Sequence, residues 1–182
     1  MKTIVAVIAF LALAASVAVV ADEQGSHGPA ASDDPRLEFM RSLAGTWAVE
    51  SGPEGMQGGS IFEFRITAGG HAVEEREMIG SPMEMLTVYN MDGKDLVATH
   101  FCMLGNQPHM TASKRVVDGS LSFACDGKPG NTHSHAEEHV HGWKIQRDGD
   151  DKLILSGELI KDGKTSEAPQ FVLTRQQETA SR

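Results

Sequence analysis

The sequence predicts an all-β protein, an antiparallel meander of about ten short strands that follows one short N-terminal helix. From residue 45 onward, apolar residues recur with a period of two, as they do in half-buried strands. Clusters of Gly, Pro, Asn and Asp separate these apolar runs, and such clusters are the usual chemistry of hairpin turns. Many short strands with turns of this kind close into a barrel or fold as a sandwich.

The N-terminus has the form of a secretory signal peptide. Lys2 precedes an uncharged, mostly apolar run from Thr3 to Ala21 that ends in small residues. We expect residues 1–21 to be removed by cleavage after Ala21, with cleavage after Ala18 as the alternative. An uncleaved membrane anchor is the second interpretation of this run. Export to the periplasm or the cell exterior is therefore the predicted localisation, without stable membrane insertion after cleavage.

One domain is expected after the signal peptide. Residues 22–35 are rich in Gly, Ser, Ala, Pro and acid, which is typical of a flexible leader. Residues 36–176 are sufficient for one barrel domain with one core, and residues 177–182 form a tail. The whole chain has 16 basic and 25 acidic residues, a net charge of −9. This charge makes nucleic acid an improbable partner.

The helix is predicted at residues 36–43, with Asp33 or Asp34 as its N-cap and Pro35 in its first turn. The strands that follow are short and closely spaced. The predicted strands are Gly45–Ser51, Ser60–Thr67, His71–Ile79, Met83–Met91, Asp95–Met103, His109–Val117, Ser120–Cys125, Ser134–Gln146, Lys152–Lys161 and Gln170–Arg175.

The first and last strands carry a distinctive pair of residues. Gly45-Thr46-Trp47 begins the first strand, and Arg175 ends the last one. This arrangement resembles the pattern of calycins, the group of lipocalins and nitrobindin-like proteins, in which the tryptophan of a Gly-x-Trp packs beneath an arginine from the last strand. A guanidinium can stack on an indole face by cation–π attraction. The resemblance implies a calycin-like β-barrel with the indole at its floor.

Three linked features lie within residues 68–110: Gly69-Gly70, a following strand with Glu74 and Glu75, and Tyr89 before an Asp92-Gly93 turn. The segment resembles bacterial domains of unknown function related to DUF1579, which are also taken to be calycin-like barrels. This resemblance implies a fold and a tendency to export, but no established activity.

The Asp92-Gly93 turn predicts which residues of its two strands share a face. A two-residue turn at these positions pairs Met91 with Lys94 and then counts outward. One face then carries a mixed set of side chains, and the other carries an apolar set. If the mixed set lines a cavity, it forms a site for a small-molecule ligand; if the apolar set does, the mixed set lies outside. The mixed set is Met85, Thr87, Tyr89, His100 and Cys102.

A histidine-rich segment precedes Trp143. Read as a strand, it places on one face His133, His135, Glu137, His139 and His141. Trp143 continues that face, so an inward tryptophan would bring the histidines inward as well. Gly142 opposes this, because a glycine within a strand often marks a bulge that changes the face.

Metal binding is the second functional hypothesis for this segment. Two imidazoles at i and i+2 can reach one Zn²⁺ or Cu²⁺, and His100-x-Cys102 has the same spacing. The predicted metal ligands are His133, His135 and His100, with haem as a less favoured cofactor. A solvated or pH-titrating row of histidines is the alternative.

An enzyme is the least favoured of the three hypotheses. It would be a metal-assisted hydrolase or isomerase with Glu137 as its base. His135-Ala136-Glu137-Glu138-His139 matches an H-x-x-E-H peptidase pattern, but that chemistry requires a helix, and strands are predicted around it. Glu74 and Glu75 are adjacent, so they lie on opposite faces of a strand and cannot share a proton. The first hypothesis is therefore a non-enzymatic exported barrel that binds a small, partly apolar ligand.

Cys102 and Cys125 are the only cysteines. An exported protein can oxidise them, but one predicted strand separates theirs. The cysteines are then two inter-strand spacings apart, about 9–10 Å, which exceeds the roughly 7 Å limit between the Cα atoms of a disulfide. We expect two thiols.

Overall fold

A computed structural model describes residues 29–57, 59, 61–130 and 137–177, with the side chains of residues 126–130 left out. The chain forms one α-helix, a single 3₁₀ turn at Ala68–Gly70 and eleven strands. The helix α1 spans Pro35–Ser42. The strands are β1 Gly45–Ser51, β2 Ile61–Thr67, β3 Ala72–Glu77, β4 Met85–Asp92, β5 Asp95–Phe101, β6 Gln107–Ala112, β7 Ser120–Gly130, β8 His139–Arg147, β9 Lys152–Lys161, β10 Lys164–Glu167 and β11 Phe171–Arg175.

Ten of these strands close into an antiparallel barrel. Sequential neighbours pair from β1 to β8, β8 pairs with β9, and β11 joins β9 back to β1. The short β10 pairs with β9 at residues 158–161, while β11 pairs with the same strand at residues 152–155. The two strands therefore follow one another along one side of β9. The predicted all-β barrel with one short helix is confirmed.

The end of the predicted leader and the helix are attached to the barrel. Asp34 caps α1 by accepting a 2.9 Å hydrogen bond from the backbone N–H of Arg36, and Pro35 begins the helix. Arg36 donates through Nη2 to the carbonyl of Lys94, in the β4–β5 turn, at 2.7 Å. Leu37 and Met40 are fully buried in the core. Among the described residues, no helix has the length and apolar character needed to cross a bilayer.

The predicted contact between Trp47 and Arg175 is present. The two residues are paired across β1 and β11, and the Arg175 guanidinium carbon lies 4.1 Å from the centre of the Trp47 ring. Trp47 is fully buried, and its indole N–H donates to the Leu43 carbonyl at 2.9 Å. Arg175 also donates through Nη1 to the Ala44 carbonyl at 2.7 Å. These contacts join the first and last strands of the barrel.

The β4–β5 hairpin differs from its predicted register by two residues. Asp92 pairs with Asp95, so the turn consists of Gly93 and Lys94 rather than Asp92 and Gly93. Gly93 has a φ of 58° at the first turn position, which is where a type II′ turn requires glycine. A shift of two residues leaves every side chain on its predicted face. The mixed face is the interior one, whereas Phe101 on the opposite face is exposed.

The histidine-rich strand has a bulge next to Gly142. The β8–β9 register shifts between Val140 and Gly142. Val140 and Trp143 are three residues apart, yet both line the same cavity. The alternation that joined His139 and His141 to Trp143 is therefore interrupted, as Gly142 suggested. β8 begins at His139, and the predicted start at Ser134 lies outside the described residues.

Candidate functional site

A cavity of about 200 Å³ lies in the interior of the barrel. Strands β2, β3, β4, β5, β8, β9 and β11 contribute to its lining. Most of this surface is apolar, and its apolar side chains include Phe62, Trp143, Ile145, Leu155 and Phe171. Three titratable side chains interrupt the apolar lining: Glu75, Glu77 and His100.

His100, Thr87 and Glu77 form a polar cluster in the cavity wall. His100 Nδ1 lies 2.9 Å from Thr87 Oγ1 and 3.5 Å from Glu77 Oε1. The Thr87 hydroxyl is 3.3 Å from the same Glu77 oxygen. Burial lowers the pKa of His100 to about 4 and raises the pKa of Glu77 to about 7. The histidine is therefore neutral at pH 7, while Glu77 is close to the midpoint of its titration.

Glu75 and Tyr89 form a second buried polar pair. The Tyr89 hydroxyl donates to Glu75 Oε2, and both residues are almost completely buried. Burial raises the pKa of Glu75 well above its ordinary value, and the nearby Glu77 carboxylate raises it further. Burial and the Glu75 carboxylate also raise the pKa of Tyr89. The interior thus favours the neutral forms of both groups.

Two buried ring nitrogens of the cavity wall have no hydrogen-bond partners among the described residues. They are Nε2 of His100 and Nε1 of Trp143. The His100 and Trp143 rings meet nearly edge to face, with their centroids 5.7 Å apart. The Trp143 indole also packs against Tyr89, near its hydroxyl but outside normal hydrogen-bond geometry. A buried nitrogen without a partner costs free energy, and a bound polar atom would supply one.

The structure brings together most of the residues predicted to bind a ligand. Met85 and His100 line the cavity. Thr87 and Tyr89 are fully buried directly behind that lining, in contact with His100 and Glu75. Cys102 follows the end of β5, is half-buried and lies outside the lining. Ligand binding by these five residues stays a prediction.

Sequence reasoning missed the two interior acids. Glu74 and Glu75 lie on opposite faces as expected, with Glu74 paired to Arg65 at 2.6 Å outside the barrel. The pair that shares the interior is Glu75 and Glu77, and its i, i+2 spacing on a strand was the available signal. The sequence linked an inward Trp143 to inward histidines unless Gly142 marked a bulge, and the structure has that bulge.

Only one of the three predicted metal ligands lies in the described part of the chain. His133 and His135 lie outside the described residues, and His100 is in the cavity wall. A metal site formed by these three residues stays a prediction. Glu137 is half-buried, and its backbone carbonyl lies 2.7 Å from His139 Nδ1. His139 is on a strand rather than the helix that an H-x-x-E-H peptidase site requires.

A different group of metal-binding side chains converges in the described part of the chain. The ligand atoms of Cys125, His139 and His141 all lie within 4.8 Å of one another. His139 is fully buried, and its Nε2 is 3.3 Å from His141 Nδ1. The two cysteines are not joined by a disulfide. β6 separates Cys102 at the end of β5 from Cys125 on β7, so the predicted topological reason for two thiols applies.

No protein-family model matches this chain, and no curated protein matches it.

Proposed function

We propose that this protein is an exported barrel that binds a small, neutral and largely apolar molecule with one hydrogen-bonding group. The observation that carries the proposal is His100 Nε2, a buried nitrogen without a hydrogen-bond partner among the described residues, on a side chain of the mostly apolar cavity wall. A ligand atom that hydrogen-bonds this nitrogen would remove the free-energy cost of leaving it unpaired, about 1–3 kcal/mol. Apolar walls with a few convergent polar groups are typical of small-molecule sites.

The size of the cavity limits the ligand. An apolar cavity of about 150 Å³ can hold a benzene-sized molecule. The cavity in this barrel has a volume of about 200 Å³, so a single ring or a short branched chain suits it.

The charge of the lining limits the ligand further. Among the described residues, the cavity lining includes Glu75 and Glu77 but no lysine or arginine. His100 is neutral at pH 7 because burial lowers its pKa to about 4. An anionic ligand would therefore lose its hydration without gaining a cationic partner. A neutral ligand with a hydroxyl or carbonyl group fits this lining better.

Export and a calycin-like ancestry are part of the same proposal. The apolar run after Lys2 supports export, and the Trp47–Arg175 contact supports a relationship with calycin-like and DUF1579-type domains. An experimental structure whose strands superpose on a lipocalin, with Trp47 and Arg175 at equivalent positions, would support this relationship.

The test compares three single-ring probes of similar size, namely p-cresol, toluene and benzoate. We expect p-cresol to change the Trp143 fluorescence and to bind more tightly than toluene, and we expect benzoate not to bind. In His100→Leu, the affinity for p-cresol should fall about five- to tenfold while that for toluene is kept, since about 1 kcal/mol is lost with one hydrogen bond. His109→Leu, at an exposed histidine on β6, is the matched control. Tighter binding of benzoate, no binding of any probe, or equal p-cresol affinity in both variants would contradict the proposal.

A further inference from the structure

We propose that Cys125, His139 and His141 form a zinc-binding site between β7 and β8. This site is separate from the cavity, because none of the three residues lines it. Thiolate sulfur and imidazole nitrogen are both usual ligands of Zn²⁺. The donor atoms already lie within 4.8 Å of one another, so little movement is needed to bring them onto one ion.

The separation of the two imidazole nitrogens matches a tetrahedral metal site. His139 Nε2 and His141 Nδ1 are 3.3 Å apart. Two Zn–N bonds of about 2.0–2.1 Å at a tetrahedral angle place their nitrogens roughly 3.3 Å apart. A zinc ion can therefore lie between the two rings at normal bond lengths.

The other nitrogen of His139 has the partner that a metal-binding histidine usually has. Its Nδ1 lies 2.7 Å from the backbone carbonyl of Glu137. Since a carbonyl can only accept, Nδ1 carries the proton and Nε2 presents its lone pair to the site. A hydrogen bond of this kind fixes the tautomer and the orientation of a ligand ring.

The local fold holds these residues in place. Gly142 pairs with Ala124 across β7 and β8, which brings Cys125 and His141 into neighbouring positions. A Cβ atom at Gly142 would lie 2.8 Å from the Phe123 carbonyl oxygen, so the two strands approach closely here. The buried Asn106 donates to the Glu138 carbonyl at 2.9 Å and anchors the chain just before His139.

The described part of the chain supplies three ligands to this site, and tetrahedral zinc takes four. Zinc binding requires the Cys125 thiolate, so it releases a proton from the thiol, and affinity should increase with pH. Zn²⁺ is redox-inert and accepts this mixed thiolate and imidazole set in a tetrahedral arrangement.

The test uses the purified protein, with Zn²⁺ in competition with a chelator and with Co²⁺ as a spectroscopic probe. We expect one equivalent of Co²⁺ to produce the d–d bands of a tetrahedral site and a thiolate-to-cobalt charge-transfer band. Cys125→Ser should abolish the charge-transfer band, and His139→Gln or His141→Gln should weaken Zn²⁺ binding at least tenfold. Cys102→Ser and His109→Gln are the matched controls and should behave like the native protein.

A second measurement uses the native protein, so its result does not depend on whether a variant folds. Zn²⁺ should protect Cys125 but not Cys102 of the native protein from alkylation, as measured by peptide mapping. Equal alkylation of Cys125 with and without Zn²⁺, or a charge-transfer band that persists in Cys125→Ser, would overturn the proposal. Zinc binding lost in His133→Gln/His135→Gln but kept in His139→Gln/His141→Gln would also overturn it. None of these outcomes affects the cavity proposal, whose test uses no metal.

Discussion

At the scale of residues, the most unusual feature is a set of ionisable side chains inside the barrel. Glu75 and Glu77 lie on the interior side of β3, and His100 lies near them on β5. Burial disfavours the charged form of each group, so the pKa values of the acids rise and that of the histidine falls. These shifts make the stability of the protein depend on pH.

Glu77 and His100 should contribute to this dependence with opposite signs. The pKa of Glu77 rises from 4.5 in the unfolded chain to about 7, so its stabilising contribution is complete below pH 4.5 and is lost as the pH rises to 7. The pKa of His100 falls from 6.5 to about 4, so its contribution increases between pH 4 and pH 6.5. The two effects partly cancel in the native protein.

Replacing Glu77 should separate the two effects. In Glu77→Gln, the decrease in stability above pH 4.5 is removed and the increase due to His100 remains. The free energy of unfolding of the native protein minus that of the variant should fall by at most about 3 kcal/mol between pH 4.5 and pH 7. Urea denaturation at a series of pH values measures this difference, with Glu54→Gln at an exposed position as the reference. A difference that stays constant over this range would contradict the assigned shift.

Replacing Gly45, at the start of β1, tests how closely this strand must approach Arg175. Its φ is 132°, and a Cβ atom there would lie 2.7 Å from Arg175 Nη1. Gly45→Ala should therefore lower the free energy of unfolding by about 2 kcal/mol, because of backbone strain and displacement of the guanidinium. Gly59→Ala, where a Cβ atom would have no neighbour within 4 Å, is the control. Similar urea midpoints for the two variants would show that the stability of the fold does not require glycine at position 45.

At the scale of elements, the two end strands confirm their predicted ranges closely. β1 spans Gly45–Ser51 as predicted, and β11 spans Phe171–Arg175. β10 was missed because Lys164–Glu167 is polar and exposed throughout and shows no apolar alternation. β7 extends to Gly130, beyond the predicted end at Cys125, since pairing with β6 continues across a glycine and proline segment that has no strand propensity of its own.

Arg175 should contribute strongly to closure of the barrel, because it joins β11 to the start of β1. Arg175→Ala removes the stacking on Trp47 and the hydrogen bond to the Ala44 carbonyl, and should cost about 2–3 kcal/mol. Arg175→Lys keeps the charge and should recover only part of this loss. Arg65→Ala, which removes an exposed ion pair with Glu74, should lower stability much less. A urea midpoint for Arg175→Ala equal to that of Arg65→Ala would contradict this role.

At the scale of the whole molecule, the barrel has its cavity and its cluster of metal-binding side chains in different places. The cavity is formed by strands that are distant in sequence, from β2 to β11. The Cys125, His139 and His141 group is formed by two adjacent strands. A partly apolar ligand and a metal ion would therefore bind at separate places.

The predicted maturation concerns the whole chain and can be measured directly. Expression with the native N-terminus in a bacterial host should yield exported protein that begins at Asp22, since small residues precede the expected cleavage point. Cell fractionation and intact mass spectrometry test this expectation. Retention of the full-length chain in the membrane fraction would instead support the uncleaved anchor.

The sequence alone determined the fold class, the helix with its cap, and the meeting of Trp47 with Arg175. The fold class and the helix follow from local periodicity, turn chemistry and capping residues, which are visible along the chain. The contact between Trp47 and Arg175 was predicted from the resemblance to calycins. Only the tertiary structure decided which chemical groups share a site. The bulge at Gly142 and the register of the strands placed Trp143 in the cavity beside His100, and brought Cys125 to His139 and His141. A shift of one residue in the register of a strand moves all of its side chains to the other face of the sheet. The register is decided by pairing with the neighbouring strands, which the sequence does not show.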